Sequence, residues 1–269
     1  MTRTFRVHRP LGLERDRPVP LVLVLHGGFG SGEQAERAYG WNATADAHGF
    51  VVCYPDGLMR AWNAGTCCGE PMRRGFDDVG FLAALIDQVQ STEVVDPGRI
   101  FVAGMSNGAM MAYRLAAELS GRVAAIGPVA GTMTVCLEPG TRPVSVCHIH
   151  GLADQHVPFG GGVGRRALGK EWRRPVETVI GEWRAAAGCG APSVWRDGPV
   201  RIESARSASG AVEVALVTVA GAGHQWPGSV APAPRIQKAL GLDPPSVAMD
   251  ATAMLWSFFA SHPAPGDRG

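Results

Sequence analysis

The residues whose types and spacing carry most chemistry are Gly104-Met105-Ser106-Asn107-Gly108, a Gly-x-Ser-x-Gly run between an apolar stretch, Arg99 to Ala103, and a stretch of helical character, Ala109 to Leu119. Alone the pattern is weak, because glycine and serine are common and an ordinary turn uses both. Its setting changes the reading: a short buried strand leads in, and a helix with small Ala109, Ala112 and Ala116 leads out. Flanking glycines let the chain turn sharply enough to hold Ser106 in a strained conformation, its hydroxyl thrust out above a sheet. The chemistry of such a hydroxyl is nucleophilic attack.

A serine hydroxyl attacks poorly until a base takes its proton, and the base needs a third group to hold it in one tautomer. Two further strand-like runs end in such residues. Val144 to His150 leads into Gly151-Leu152-Ala153-Asp154, and Val212 to Val219 leads into Gly221-Ala222-Gly223-His224-Gln225-Trp226. The order Ser106, Asp154, His224 is the order of an α/β-hydrolase triad. Asp56, in Tyr54-Pro55-Asp56-Gly57, has the look of a turn residue, and Asp154 is preferred to it. Among rival histidines, His150 sits inside a strand pattern and reads as a core residue, and His156 either lines the site or is solvated. His26 belongs to His26-Gly27-Gly28-Phe29-Gly30-Ser31-Gly32, which ends the strand Leu21 to Leu25. Glycines there let backbone N–H groups approach a substrate oxygen, so the expected oxyanion hole is the N–H of Asn107 with one from Gly28 or Phe29.

These residues need elements to position them. Apolar runs at Val19 to Leu25, Phe50 to Tyr54, Arg99 to Ala103, Val123 to Val129, Val144 to His150 and Val212 to Val219 alternate with helical periodicity, the pattern of a mostly parallel sheet flanked by helices. Helices are predicted after Asp77 and Asp78 (Val79, Leu82, Ile86, Val89), after Pro175 (Val176, Val179, Ile180, Trp183, Ala187) and after Ser246 (Val247, Ala251, Leu255, Phe258). The 269 residues fit one α/β catalytic domain. With 25 basic and 24 acidic residues, a net charge of +1 and no basic run, nucleic acid is excluded as a partner. No apolar run approaches the roughly 20 residues that span a bilayer, so a soluble protein without a membrane partner is expected. Gly160-Gly161-Gly162-Val163-Gly164-Arg165 lacks the Lys-Ser/Thr ending of a phosphate loop and reads as a plain loop. The histidines lack zinc-type spacing and Cys67-Cys68 lacks a second matching pair, so neither metal nor organic cofactor is expected.

With these residues in place the chain resembles the secreted esterases grouped with polyhydroxybutyrate depolymerases and feruloyl esterases, from about Thr4 to Phe259. The matching segments are Leu25-His26-Gly27-Gly28, Trp62-Asn63-Ala64-Gly65-Thr66-Cys67-Cys68-Gly69, Asp77-Asp78-Val79-Gly80-Phe81, Asp96-Pro97-Gly98-Arg99-Ile100, Gly104 to Gly108, His148 to Asp154, and His224-Gln225-Trp226-Pro227-Gly228. The resemblance implies an α/β-hydrolase fold and ester hydrolysis by Ser106, Asp154 and His224, and it leaves the ester open. It also implies export, although Met1 to Val7 reads as a first strand rather than a signal peptide; a cytoplasmic protein is the alternative.

Only Gly131 to Pro143 separates the runs ending at Val129 and beginning at Val144, too little for a cap domain there. An open cleft walled by Trp62, Trp226 and His156 follows, suited to aryl esters of the feruloyl type, including plant cell-wall esters, or to short-chain esters. Polyhydroxybutyrate or an aromatic polyester is the alternative substrate; a serine peptidase and a non-catalytic binding protein are more distant readings. Activity should fall below roughly pH 6 to 7 as a histidine base takes up a proton. Of six cysteines, Cys53 and Cys147 read as buried thiols, and a disulfide from Cys67 or Cys68 to Cys136 is expected, with Cys189 also in or near a loop.

Overall fold

Leu21, Leu23 and Leu25 alternate with Val22 and Val24 along the strand β2, Val19–Leu25, and all five are fully buried. A strand apolar on both faces belongs inside a sheet covered on both sides. The computed structural model, which describes residues 2–14, 16–167, 169–231 and 233–264, has that arrangement. Around β2 lie β1 (Phe5–His8), β3 (Val51–Pro55), β4 (Val95–Met105), β5 (Ala125–Val129), β6 (Ser145–Gly151), β7 (Ser193–Asp197), β8 (Val200–Arg206) and β9 (Glu213–Val219), in the order β1-β3-β2-β4-β5-β6-β9-β8-β7. The six strands from β3 to β9 in that order run parallel, while β1, β8 and β7 pair antiparallel at the two edges.

The helices are α1 (Gly32–Ala38), α2 (Trp41–His48), α3 (Gly69–Arg73), α4 (Asp78–Thr92), α5 (Asn107–Glu118), α6 (Val176–Ala186), α7 (Pro234–Leu240) and α8 (Ala251–Ser261). Leucines of β2 pack with Leu82 and Ile86 of α4, Tyr113 of α5 and Trp183 of α6 on one face. Val22 and Val24 pack with Trp41 of α2 and Leu255 and Phe259 of α8 on the other. Each fully buried large apolar side chain contributes roughly 1.5–3 kcal/mol.

The α4 start follows its expected chemistry, Asp77 accepting from Gly80 N at 2.7 Å. The last helix starts later than its apolar spacing predicts: Asp250 caps it through Ala253 N at 3.0 Å, so Val247 lies outside it and is exposed. No cap domain is present among the described residues. The long connections, 152–175 after β6 and 220–250 after β9, carry Asp154 and His224 respectively.

Candidate active site

Parallel register sets the site at the carboxyl ends of adjacent strands, where open α/β sheets bind ligands. Leu25 pairs with Gly104, so the glycine-rich segment leaving β2 meets the turn leaving β4. Gly151 pairs with Val219, so the loops leaving β6 and β9 start side by side. At the end of β4, Ser106 has φ 55° and ψ −117°, a conformation that costs an L-residue about 1–3 kcal/mol. The glycines around it are required by close approach rather than by their own torsions. A Cβ on Gly104 would collide with Gly108 O, and one on Gly108 with the carbonyls of Leu25 and His26.

The structure brings the three predicted residues into one line. Ser106 Oγ lies 2.9 Å from His224 Nε2, and His224 Nδ1 lies 2.7 Å from Asp154 Oδ2. Asp154 and His224 are buried and Ser106 is half-buried. Asp154 Oδ1 accepts from His156 N at 2.8 Å and Val157 N at 2.9 Å, which turns the other oxygen toward His224. Burial alone would raise this carboxyl. The charge and hydrogen bond of His224, His150 and the Val157 N–H outweigh it and hold Asp154 below its ordinary value. Such a line can take a proton from the hydroxyl and stabilise the resulting imidazolium.

His224 is fixed by residues that sequence reasoning missed. Its backbone N–H donates to Asp243 Oδ2 at 2.8 Å, and Asp243 Oδ1 accepts from Arg166 Nη1 at 3.0 Å, joining the two loops that carry acid and base. Nothing local to Asp243 in the sequence points to this role. His156 stacks on His224, ring centroids 4.7 Å apart. Ligand atoms of Asp154, His156 and His224 lie within 4.8 Å of one another, the only such group among the described residues that could bracket a cation. An ion between the first and last would displace the proton that the line needs.

Other expectations need correction. Phe29 does not offer a free N–H, because it donates to Arg60 O at 2.7 Å; its side chain, at positive φ, is exposed instead. Gly27 lies against the serine, where an added Cβ would stand 3.5 Å from Ser106 Cβ, and Gly28 follows it. Asn107 is the first residue of α5, so its N–H has no helical acceptor. Trp62 is no cleft wall: it is fully buried in the core, its Nε1 donating to His26 O at 3.0 Å. Trp226 is equally buried, stacked on Tyr39 at 4.5 Å and donating to Thr252 Oγ1 at 3.0 Å.

The expected disulfide to Cys136 is also absent. Cys67 is bonded to Cys68, and Cys136 is an exposed free thiol. Hydrogen bonds tie the two segments in its place: Thr66 N and Thr66 Oγ1 both donate to Thr134 O, at 3.3 and 3.0 Å. Cys53 and Cys147 are buried thiols, as read from their strands. The rival residues have structural work. Asp56 accepts from Gly32 N and Thr4 Oγ1, both at 2.8 Å, and His26 accepts from Gly57 N at 2.9 Å while donating to Gly27 O at 2.7 Å.

The chain is similar to known proteins over most of its length. The sequence profile of the family described as Esterase PHB depolymerase matches residues 4–139. "Putative esterase NocK" of Nocardia uniformis subsp. tsuyamanensis is 36% identical over 261 residues, covering 86% of this chain and 72% of that protein. Feruloyl esterase B of Piromyces equi is 31% identical over 231 residues, 80% of this chain; the match spans only 41% of that longer protein. Among solved structures, an acetyl xylan esterase from Aspergillus awamori matches with a TM-score of 0.60 over 89% of this chain and 94% of that one. At 16% identity the likeness is one of fold, the α/β-hydrolase fold.

Proposed function

Because the chain belongs to the family described as Esterase PHB depolymerase, and is a carboxylic-ester hydrolase, we propose that Ser106, His224 and Asp154 are its catalytic triad and that soluble aryl or short-chain esters are its substrates. The observation that carries the reading is the continuous line from Ser106 Oγ through His224 to Asp154, at 2.9 and 2.7 Å, on a serine held at positive φ. His224 Nε2 takes the hydroxyl proton as Oγ attacks the ester carbonyl carbon, and Asp154 stabilises the imidazolium. The N–H groups of Gly28 and Asn107 receive the tetrahedral oxygen; losing one such donor costs roughly 3 kcal/mol of transition-state stabilisation. Collapse expels the alcohol with the proton from His224 and leaves an acyl-enzyme. Water, deprotonated by the same nitrogen, then releases the carboxylic acid.

The apolar contact expected of Trp62 and Trp226 is assigned instead to exposed side chains on the segments that carry Gly28 and Asp154. Phe29 follows Gly28 and its N–H is bonded to the carbonyl of Arg60, the residue after exposed Met59; Leu152, two residues before Asp154, is exposed as well. Such a rim suits the aryl group of a feruloyl-type ester, the ester class named for the Piromyces equi relative. It is also open to a polyester segment. The Cys67–Cys68 disulfide fits an oxidising compartment, so the reading includes export.

The test compares hydrolysis of a soluble feruloyl ester, a short-chain aliphatic ester and a polyhydroxybutyrate film at equal enzyme, with Phe29→Ala alongside. The expected result is soluble esters well ahead of film, and a raised KM for the aryl ester in the variant. Efficient film hydrolysis with negligible soluble-ester turnover would reverse the substrate assignment.

A further inference from the structure

Behind Asp154 runs a line of buried side chains for which the ester-cleaving steps have no use. Tyr113 of α5 sets its hydroxyl 2.8 Å from His148 Nδ1, and His148 Nε2 lies 3.0 Å from His150 Nδ1. His150 Nε2 lies 2.8 Å from Val157 O and 3.5 Å from Asp154 Oδ2. All three side chains are buried, two of them in β6 where their neighbours Val146 and Ile149 show what the sheet otherwise uses. Burying two imidazoles there is costly unless every nitrogen is bonded, and here every nitrogen is.

The hydrogen positions follow from the partners. A carbonyl only accepts, so His150 Nε2 carries a proton and donates to Val157 O. The neutral ring then accepts at Nδ1, which makes His148 Nε2 the donor to it. His148 Nδ1 accepts in turn, and the Tyr113 hydroxyl donates. Every hydrogen points toward the loop that carries the acid.

We infer that His150 is a positioning residue for the triad acid, held in the required tautomer by His148 and Tyr113. The inference rests on the reading of Ser106, His224 and Asp154 as the triad. His150 grips Val157 by its carbonyl. The N–H of that same residue, with that of His156, holds Asp154 Oδ1, leaving Oδ2 aimed at His224 Nδ1. Without the grip the 154–157 turn can rotate away from His224.

The groups that face the pair are few. Burial lowers His150, opposed by Asp154 and the Val157 carbonyl and assisted by His224; burial and then His150 lower His148 further. From α5 the facing group is Tyr113, itself pushed up by burial; the Phe159 ring lies against His150 and the Trp183 ring against Tyr113. Both imidazoles therefore stay neutral, and the line works as a strut of hydrogen bonds rather than as a charge.

The test measures kcat, KM, pH profile and thermal melting for His150→Phe and His150→Gln, with Ser106→Ala in parallel. His150→Phe should lower kcat roughly 10- to 100-fold with little change in KM, the scale of a misplaced catalytic group. Its acid limb should move to lower pH, because an imidazolium poorly matched to its carboxylate gives up its proton sooner. A merely structural loss would scale the amplitude and leave the limb in place. Glutamine offers an N–H to Val157 O and an oxygen to His148 Nε2, so His150→Gln should recover most of the rate. If His150→Phe does not fold, the 15N shifts of the unmodified protein decide: at pH 7.5 to 8.5 His148 and His150 should both be neutral with Nε2 protonated, and a charged ring or the other tautomer at His150 overturns the inference. Wild-type kcat, or an unmoved acid limb, in folded His150→Phe also overturns it. Turnover by Ser106→Ala would instead bring down the triad reading itself.

Discussion

Asn107→Ala is the perturbation whose size the structure fixes best. The residue's N–H is proposed for the oxyanion hole, but its side chain does separate work: Oδ1 accepts from Trp62 N at 2.7 Å and Nδ2 donates to Trp62 O at 3.0 Å. All of these atoms are buried, and the two bonds replace strand pairing for the loop after β3. Alanine leaves the Trp62 N–H without a partner, at about 1–3 kcal/mol, and removes one of two bonds to Trp62 O, which still accepts from Cys68 N at 3.2 Å, at about 0.5–1.5 kcal/mol, so the expected loss is about 1.5–4.5 kcal/mol. Against a typical total of roughly 5–15 kcal/mol this is large, and at about 2–4 °C per kcal/mol it lowers Tm by roughly 3–18 °C. The backbone N–H survives the substitution. Any fall in kcat at a temperature where the variant is folded therefore reports the loop, which reaches the glycine-rich segment through Trp62 Nε1 on His26 O and Gly57 N on His26 Nε2. Calorimetry gives the first number and initial rates on an aryl ester the second. A Tm within about 2 °C of the parent would refute the accounting of these two bonds.

Asp154→Asn should lower kcat by about 10⁴-fold, since the amide favours the wrong imidazole tautomer, whereas Asp56→Asn should stay within about tenfold; steady-state kinetics on both variants would show a reversed ranking if the acid were misassigned. Trp226→Ala empties a core site and should cost about 3–5 kcal/mol in denaturant unfolding while leaving KM unchanged; a stable variant with altered KM would return Trp226 to the cleft. Glu213 is pulled down to about 2 by His262, whose Nε2 lies 3.2 Å from its Oε2, against burial and helped by Ser204 and Arg206. A carboxyl more acidic folded than unfolded adds stability that is complete above its ordinary value of 4.5 and lost as pH falls toward 2. Glu213→Gln should accordingly destabilise the protein at pH 7 and flatten the decline in Tm between pH 5 and 2.5; an unchanged decline would contradict the assignment.

What sequence could reveal depended on whether the signal was local. The central strands and α4, α5 and α6 are apolar in period and bounded by caps or glycines, so their positions emerge within a few residues. The three residues proposed as the triad were legible because each follows a strand end, and the structure brings them into hydrogen-bonding distance. The hairpin of β7 and β8 did not: Ser193–Asp197 is exposed throughout and carries no apolar alternation, although Asp197-Gly198 is a hairpin signal that could have located it. The tryptophans failed for a different reason. Distance along the chain from His224 does not say which side of the backbone Trp226 leaves from, and the core that takes it is built by Tyr39 and Trp41, far away in sequence. The same limit applies to Asp243, which reaches His224 across 19 residues, and to the Thr134 bonds that stand where a disulfide was expected.

The central claim is that Ser106 is the nucleophile of a relay through His224 to Asp154, and covalent capture tests it most directly. The enzyme is treated with a fluorophosphonate, digested and mapped by mass spectrometry, beside Ser106→Ala and Asp154→Asn. The expected result is one adduct on the peptide containing Ser106, none in Ser106→Ala together with loss of ester hydrolysis, and much slower labelling in Asp154→Asn. An adduct on a different serine, or turnover by Ser106→Ala, would contradict the account.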